Sequence, residues 1–234
     1  MKNLLLPLIS IKEYISLNHK IYPYAMILGI ALVLVGWGMG LFFAPIDAVQ
    51  GHSYRIIYLH VPMAIYSQLI YWFMAIWSFC FLVWKIKIGP YMTISAAYVG
   101  CMLTFLALFS GSVWGIPTWG TWWQWDARIT STFILLIMYM ALLTINSSFQ
   151  NINKADQITA WVVLVGVINI PIIKKSVDWW STLHQPASIS LSSESSIDSS
   201  MLIPLSISIV GVGLFLFALG LKVSRLMILK REEI

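Results

Sequence analysis

The chain has 234 residues, of which 59% are hydrophobic and only 10% charged, with a mean hydropathy of +0.84. A water-soluble domain of this length carries about 25% charged residues, so a solvated globular protein is excluded and lipid must face most of the surface. The net charge of +5 comes with no long basic run and no basic–aromatic interleave. It therefore reads as the cytoplasmic lysine and arginine excess of a membrane protein rather than as a nucleic-acid footprint.

The first 20 residues contain Pro7, Glu13 and scattered lysines, with no small-residue cleavage site after a clean apolar core. No cleavable signal peptide is expected, and the first span should serve as its own targeting signal. A bilayer core takes about 20 apolar helical residues to cross. Six windows meet or approach that length, at 24–43, 61–84, 91–109, 129–145, 158–173 and 201–223. The fourth and fifth are short, and Pro171 predicts an early stop to the fifth. The fold class is accordingly all-α, a single polytopic membrane domain over 1–234 with six transmembrane helices. Gly36 and Gly40 form a GxxxG pair in the first span, a pattern that favours close helix packing.

Charge placement orients the spans. With the N-terminus in the cytoplasm, ten lysines and arginines fall inside: Lys2, Lys12, Lys20, Lys85, Lys87, Lys154, Lys222, Arg225, Lys230 and Arg231. Only four, Arg55, Arg128, Lys174 and Lys175, fall outside. That bias puts both termini in the cytoplasm. The inner links are short, whereas the outer links at 44–60, 110–128 and 174–200 are longer, and irregular surface backbone is where function concentrates. The serine-rich stretch at 190–200 reads as a solvated connector.

The outer link at 111–128 is the richest segment. Trp114, Trp119, Trp122, Trp123 and Trp125 fall within it, with Gly115, Pro117 and Gly120 shaping a loop, and the next outer link adds Trp179 and Trp180 beside Asp178. Seven of the twelve tryptophans therefore lie on one side. An interfacial belt would spread them over both, so the pattern favours an aromatic platform for a planar ligand.

Histidine narrows the ligand. His60 stands just before Pro62 at the outer start of the second span, and His184 lies in the last outer link. His52 looks like an ordinary loop residue, and His19 falls inside. Two neutral imidazoles from separate segments can supply both axial bonds to a haem iron. Arg55 and Arg128 are candidate partners for the propionates, since guanidinium forks match carboxylates. Alone, each of these residues also fits an interfacial or lipid-phosphate role, and Arg128 fits an ion pair with Asp126.

Several chemistries are absent from the sequence. Cys80 and Cys101 form neither CxxC nor CxxCH, which leaves no thiol–disulfide motif and no covalent c-type haem site. There is no GxxxxGK[ST] phosphate loop. No acidic residue lies deep in a span, as a proton-coupled carrier would want, and no histidine lies mid-span, as an electron-transfer cytochrome would.

The run WGTWWQWD at 119–126, continuing ARITS to 131, resembles the WWD signature of the haem-handling proteins of cytochrome c biogenesis. The segments YLHVP at 58–62 and PIIKKSVDWWSTLHQP at 171–186 resemble their flanking histidine motifs. The WWD run alone indicates the superfamily. Six spans in so short a chain select the CcmC (haem exporter protein C) branch. The resemblance implies axial ligation of haem by His60 and His184 and a periplasmic platform of Trp114, Trp119, Trp122, Trp123, Trp125 and Asp126. It implies a transient, non-covalent b-type haem, delivered to the periplasmic haem chaperone CcmE with the membrane subunits CcmA, CcmB and CcmD. It further implies residence in the bacterial inner membrane and haem transfer rather than enzyme catalysis. A quinone-linked b-type electron-transfer cytochrome, a haem-attachment synthetase subunit of the WWD family and a scaffold subunit without ligand are the alternatives.

Overall fold

A computed structural model describes residues 10–180, 182–184 and 197–232. Most of the serine-rich stretch, and Gln185 and Pro186 of the histidine motif, lie outside the described residues. The elements are α1 (Ile11–Gly38), extended by a π turn (Met39–Phe43), a 3-10 turn (His52–Ile56), α2 (Ile57–Trp84), α3 (Gly89–Trp119), α4 (Ala127–Ser148), α5 (Ile152–Gly166), α6 (Asn169–Trp179) and α7 (Ser199–Glu232). No strand occurs among the described residues. Six segments are long and apolar enough to cross a membrane, α5 and α6 together forming the fifth.

The helices form one bundle with chemically distinct ends. At the lysine end, Tyr14, Ile88, Tyr91, Met92 and Ile228 pack together. At the opposite, tryptophan end, Ala44, Ile57, Tyr58 and Leu205 cluster, with Trp37 and Trp114 against them. The first and last spans are thus antiparallel neighbours. Their close approach rests on small residues: a Cβ on Gly36 would lie 2.5 Å from Ser208 Oγ, and one on Gly211 would lie 2.6 Å from the Val33 backbone nitrogen. Gly40, the other half of the sequence pair, instead makes room for the ring of Tyr58.

The third span is the most enclosed. In its most apolar stretch 61% of residues are buried, against 39% at most in any other span. Ala96, Ala97 and Gly100 give α3 a slim face, onto which the second, fourth and fifth spans bring Tyr71, Leu135, Tyr139 and Val163. The Tyr139 ring lies directly on Gly100, and its hydroxyl donates to the Ser67 carbonyl at 2.7 Å.

Among the boundaries that differ from the sequence expectation, two do so for reasons of backbone chemistry. The third span does not end at 109. It stays helical through Gly111, Gly115 and Pro117 to Trp119, and Gly120 then closes it at φ 74°, donating to the Ile116 carbonyl at 3.0 Å. The loop expected over 111–128 is therefore only the stretch 120–126. Pro117 is tolerated in the final turn, and the glycines serve contacts rather than turns. The fifth span does not stop at Pro171 either. It breaks at Val167 and Ile168 and restarts as α6, with Pro171 at the third helical position, where no intrahelical N–H bond is required. Asn169 donates to the Ser131 carbonyl at 3.0 Å and so fastens the break to α4.

Replacing Gly100 with Leu should overpack the contact with Tyr139 and cost about 1–3 kcal/mol. The expected result is a lowered thermal midpoint of the detergent-purified protein. An unchanged midpoint would show that the third and fourth spans are not in this contact.

Candidate functional site

The site is built at the tryptophan end around the last three turns of α3. His60 lies in the first turn of α2, two residues before Pro62, which falls inside the helix; the Tyr58 carbonyl that Pro62 cannot bond accepts from Trp37 Nε1 at 3.0 Å instead. A Cβ on Gly111 would come 2.9 Å from His60 Cε1, so the histidine ring rests on the glycine of α3. His60 Nδ1 lies 3.0 Å from Ser110 Oγ. One turn further along α3, the Trp114 ring meets His60 edge-on at 5.6 Å between centroids. Trp114 Nε1 donates to Gln50 Oε1 at 2.8 Å, which ties the loop before the second span to α3. That loop is shaped by Asp47, whose carboxylate accepts from the Val49 and Gln50 backbone nitrogens at 2.9 and 2.7 Å.

His184 reaches the same region from the far side. Its ring meets the Trp119 ring edge-on at 4.7 Å, and Trp119 in turn packs over Gly115. His184 Nδ1 lies 2.7 Å from Asp126 Oδ2. Asp126 has two tasks: its Oδ1 also accepts from the Ile129 backbone nitrogen at 2.7 Å and caps α4. The rings of His60 and His184, and the guanidinium of Arg128, lie within electrostatic reach of one another. Residues 124 positions apart in the chain, counted as 184 minus 60, are thus brought to one surface.

The proposed platform divides. Trp114 and Trp119 stand beside the two histidines. Trp123 and Trp125 turn towards Phe133 of α4, with centroids 5.8 and 6.2 Å away, and Trp122 packs edge-on against Phe109. Asp126 is a hydrogen-bond partner of His184 rather than part of a ring surface. The arginines differ too. Both Nη atoms of Arg55 are engaged, donating to the Leu41 and Ala44 carbonyls at 2.6 and 2.8 Å. They hold the end of the π turn, a structural task that the sequence did not disclose. Arg128 forms no ion pair with Asp126, and among the described residues its buried Nε has no hydrogen-bond partner, nor do the buried Arg55 Nε and Trp123 Nε1. His52 and His19 are both exposed, His19 at the lysine end. Ser110, Gly111 and Gln50 are the site residues that the sequence reading missed. A serine beside a glycine in an apolar helix carries no signal of its own.

Burial pushes the Asp126 carboxyl upward. The bonds from His184, Ile129 and Leu183 outweigh burial and hold it below its ordinary value of 3.8. The carboxylate of the folded chain is thus favoured over that of the unfolded chain. Its stabilising contribution is complete above pH 3.8 and is lost as pH falls through the lowered folded value.

Two imidazoles at the mouth of a helical membrane bundle, each against an indole, define a membrane protein with a ligand site at one surface. The family is settled by comparison. The family model described as "Heme exporter protein C" matches residues 4–234. The chain is 44% identical over 211 residues to "Heme exporter protein C" of Escherichia coli (strain K12), covering 90% of this chain and 85% of the relative. It is 39% identical over 228 residues to "Heme exporter protein C" of Bradyrhizobium diazoefficiens, covering 97% and 86%. A "Putative cytochrome c biosynthesis ccmC-like mitochondrial protein" of Marchantia polymorpha is 47% identical over 167 residues, covering 71% and 70%. The chain belongs to the CcmC family of haem exporter protein C.

Asp126→Ala should lower the thermal midpoint relative to the parent at neutral pH, and the difference should shrink below pH 3.8 as the parent's own carboxylate protonates. Midpoints measured from pH 7 to pH 3 test this. A difference that stays constant across the range would show that the carboxylate charge contributes nothing.

Proposed function

We propose that this protein binds haem at its tryptophan end between His60 and His184 and hands it on during cytochrome c maturation. The observation that carries the reading is the hydrogen-bond pattern of the two imidazoles. A carboxylate accepts at His184 Nδ1, so that nitrogen holds the proton. The Ser110 hydroxyl is itself donated to the Leu106 carbonyl at 2.7 Å, so Ser110 Oγ accepts from His60 Nδ1. With the proton on Nδ1 of each ring, Nε2 carries the lone pair, which is the form that ligates iron. The fit extends to the rest of the ligand. Trp114 and Trp119 offer apolar edges beside the imidazoles. Arg55 and Arg128 each leave a buried Nε without a partner among the described residues, but the two Nη atoms of Arg55 are taken by carbonyls, which favours Arg128 as the propionate partner. Arg55, already engaged on two carbonyls, supports the site's rim.

In this reading the site faces the periplasm of a bacterial inner membrane, and both termini are cytoplasmic, in keeping with the lysine-rich opposite end. Haem is the cargo, held as a non-covalent b-type complex. The acceptor is the haem chaperone CcmE, and the neighbours in the membrane are CcmA, CcmB and CcmD. The chain positions haem and acceptor and performs no catalysis of its own. Trp122, Trp123 and Trp125, set along α4 and the end of α3, form the flank over which haem or acceptor approaches.

The purified parent should show a bis-imidazole Soret spectrum. The double variant His60→Ala, His184→Ala should lose it while still inserting in the membrane. A normal spectrum in the double variant would refute the ligand assignment. Trp119→Ala should retain less haem, because the ring that orients His184 is gone. Haem that passes to added CcmE, with no quinone-dependent reduction, separates transfer from electron transport; haem that stays and cycles with quinone would overturn the delivery reading.

A further inference from the structure

The two imidazoles are held by unequal partners. His184 Nδ1 bonds at 2.7 Å to a carboxylate that is itself buried, with its other oxygen fixed by the N-terminus of α4. His60 Nδ1 bonds at 3.0 Å to the neutral hydroxyl of Ser110, and the His60 ring also has the neutral Ala107 backbone as a hydrogen-bond partner. An anionic acceptor on Nδ1–H draws the proton away from the ring and makes the opposite nitrogen a stronger donor to a metal, whereas a neutral acceptor does so weakly. Little solvent weakens the contrast at the carboxylate, whose side chain is 5% exposed.

We infer that Asp126 and Ser110 are positioning residues that make the two axial bonds unequal: His184, on Asp126, is the anchoring ligand, and His60, on Ser110, is the one that yields to an incoming ligand from an acceptor. This inference rests on the haem-site reading above and deepens it by assigning an order to handover. The iron stays on His184 while His60 is exchanged for the acceptor's ligand, and the His184 bond breaks last. The Fe–N bond to His60 breaks as a bond from the iron to the acceptor's donor atom forms, the leaving imidazole keeps its lone pair, and no oxidant or reductant takes part.

The test uses the full-length protein loaded with haem. Asp126→Asn keeps a capping side chain for α4 but removes the anion behind His184. Its haem potential should move upward, because the ferric state loses its stronger donor, and its haem affinity should fall by about 10–100-fold. Ser110→Ala should move the potential less than Asp126→Asn does, since it removes only a neutral acceptor behind His60. An Asp126→Asn potential equal to the parent's would overturn the inference, since a purely structural role predicts no such shift. The single histidine variants give an independent arm if Asp126→Asn does not accumulate. His60→Ala should keep haem through His184 and regain a six-coordinate spectrum with added imidazole, whereas His184→Ala should lose most of its haem. Equal or reversed retention would overturn the order. Failure of the site reading is distinguishable, because then the parent itself shows no spectrum that depends on the two histidines.

Discussion

Everything at the tryptophan end depends on α3 remaining helical for three turns beyond the point where its sequence ceases to look like a membrane span. Along those turns Ser110 and Gly111 meet His60, Trp114 meets both His60 and Gln50, and Trp119 meets His184. Gly111 is central to this arrangement. With a Cβ 2.9 Å from the imidazole, any larger residue would push the second span from the third or rotate the ring away from Ser110. The left-handed turn at Gly120 then redirects the chain so that Asp126 can cap α4 and face His184. A single helix thereby sets the positions of two imidazoles that come from distant segments of the chain.

The opposite end follows a different logic. Asp156 and Arg231 pair at 2.9 Å, and Asn146 accepts from the same guanidinium at 3.0 Å and donates to Asp156 at 3.1 Å. Arg231 also lies over the Tyr91 ring at 5.3 Å. These residues come from α3, α4, α5 and α7, so one polar network joins four helices where their apolar faces run out. In a bundle whose helices gain little hydrophobic advantage from one another in lipid, packing and such bonds carry much of the association. The tryptophan end has no comparable ion-pair network among its described residues. Its polar groups are committed to the two histidines and to the loop that frames them.

The six spans were legible from hydropathy because a bilayer imposes both length and composition. Their true ends were not. The first span starts at Ile11 rather than 24, since Lys12, Asn18 and Lys20 interrupt the apolar run although Asn18 is buried and bonded to the Leu221 carbonyl at 2.6 Å. The extension of α3 was hidden by Gly111, Gly115 and Pro117. In isolation these are loop residues, and here the two glycines are the surfaces on which the His60 and Trp119 rings lie. His60, His184 and the two arginines stood out as residue types. Which arginine is engaged by backbone carbonyls, and which tryptophans turn away towards Phe133, depends on contacts that sequence spacing does not encode. The bond from His184 to Asp126 joins residues 58 positions apart, and no local pattern announces it.

A site that must give up its ligand faces opposing demands. Enclosing a porphyrin on both faces within a bundle, as mid-span histidines would, favours retention and leaves an acceptor no path to the iron. Leaving it on an open surface exposes apolar rings and weakens both axial bonds by competition with water. The geometry here lies between these limits. His60 stands at the mouth of a packed helix pair, while the His184 side chain is 20% exposed on the segment after α6. Exposed Trp125, Trp179 and Trp180 supply apolar surface near that opening without closing it. For haem held in this way, desolvation strengthens the coordinating bonds from the bundle side, and access from the open side allows one bond to be replaced at a time. On the proposed reading, transfer needs no step in which the iron is without protein ligands, and its barrier is that of a single ligand exchange rather than of release into water.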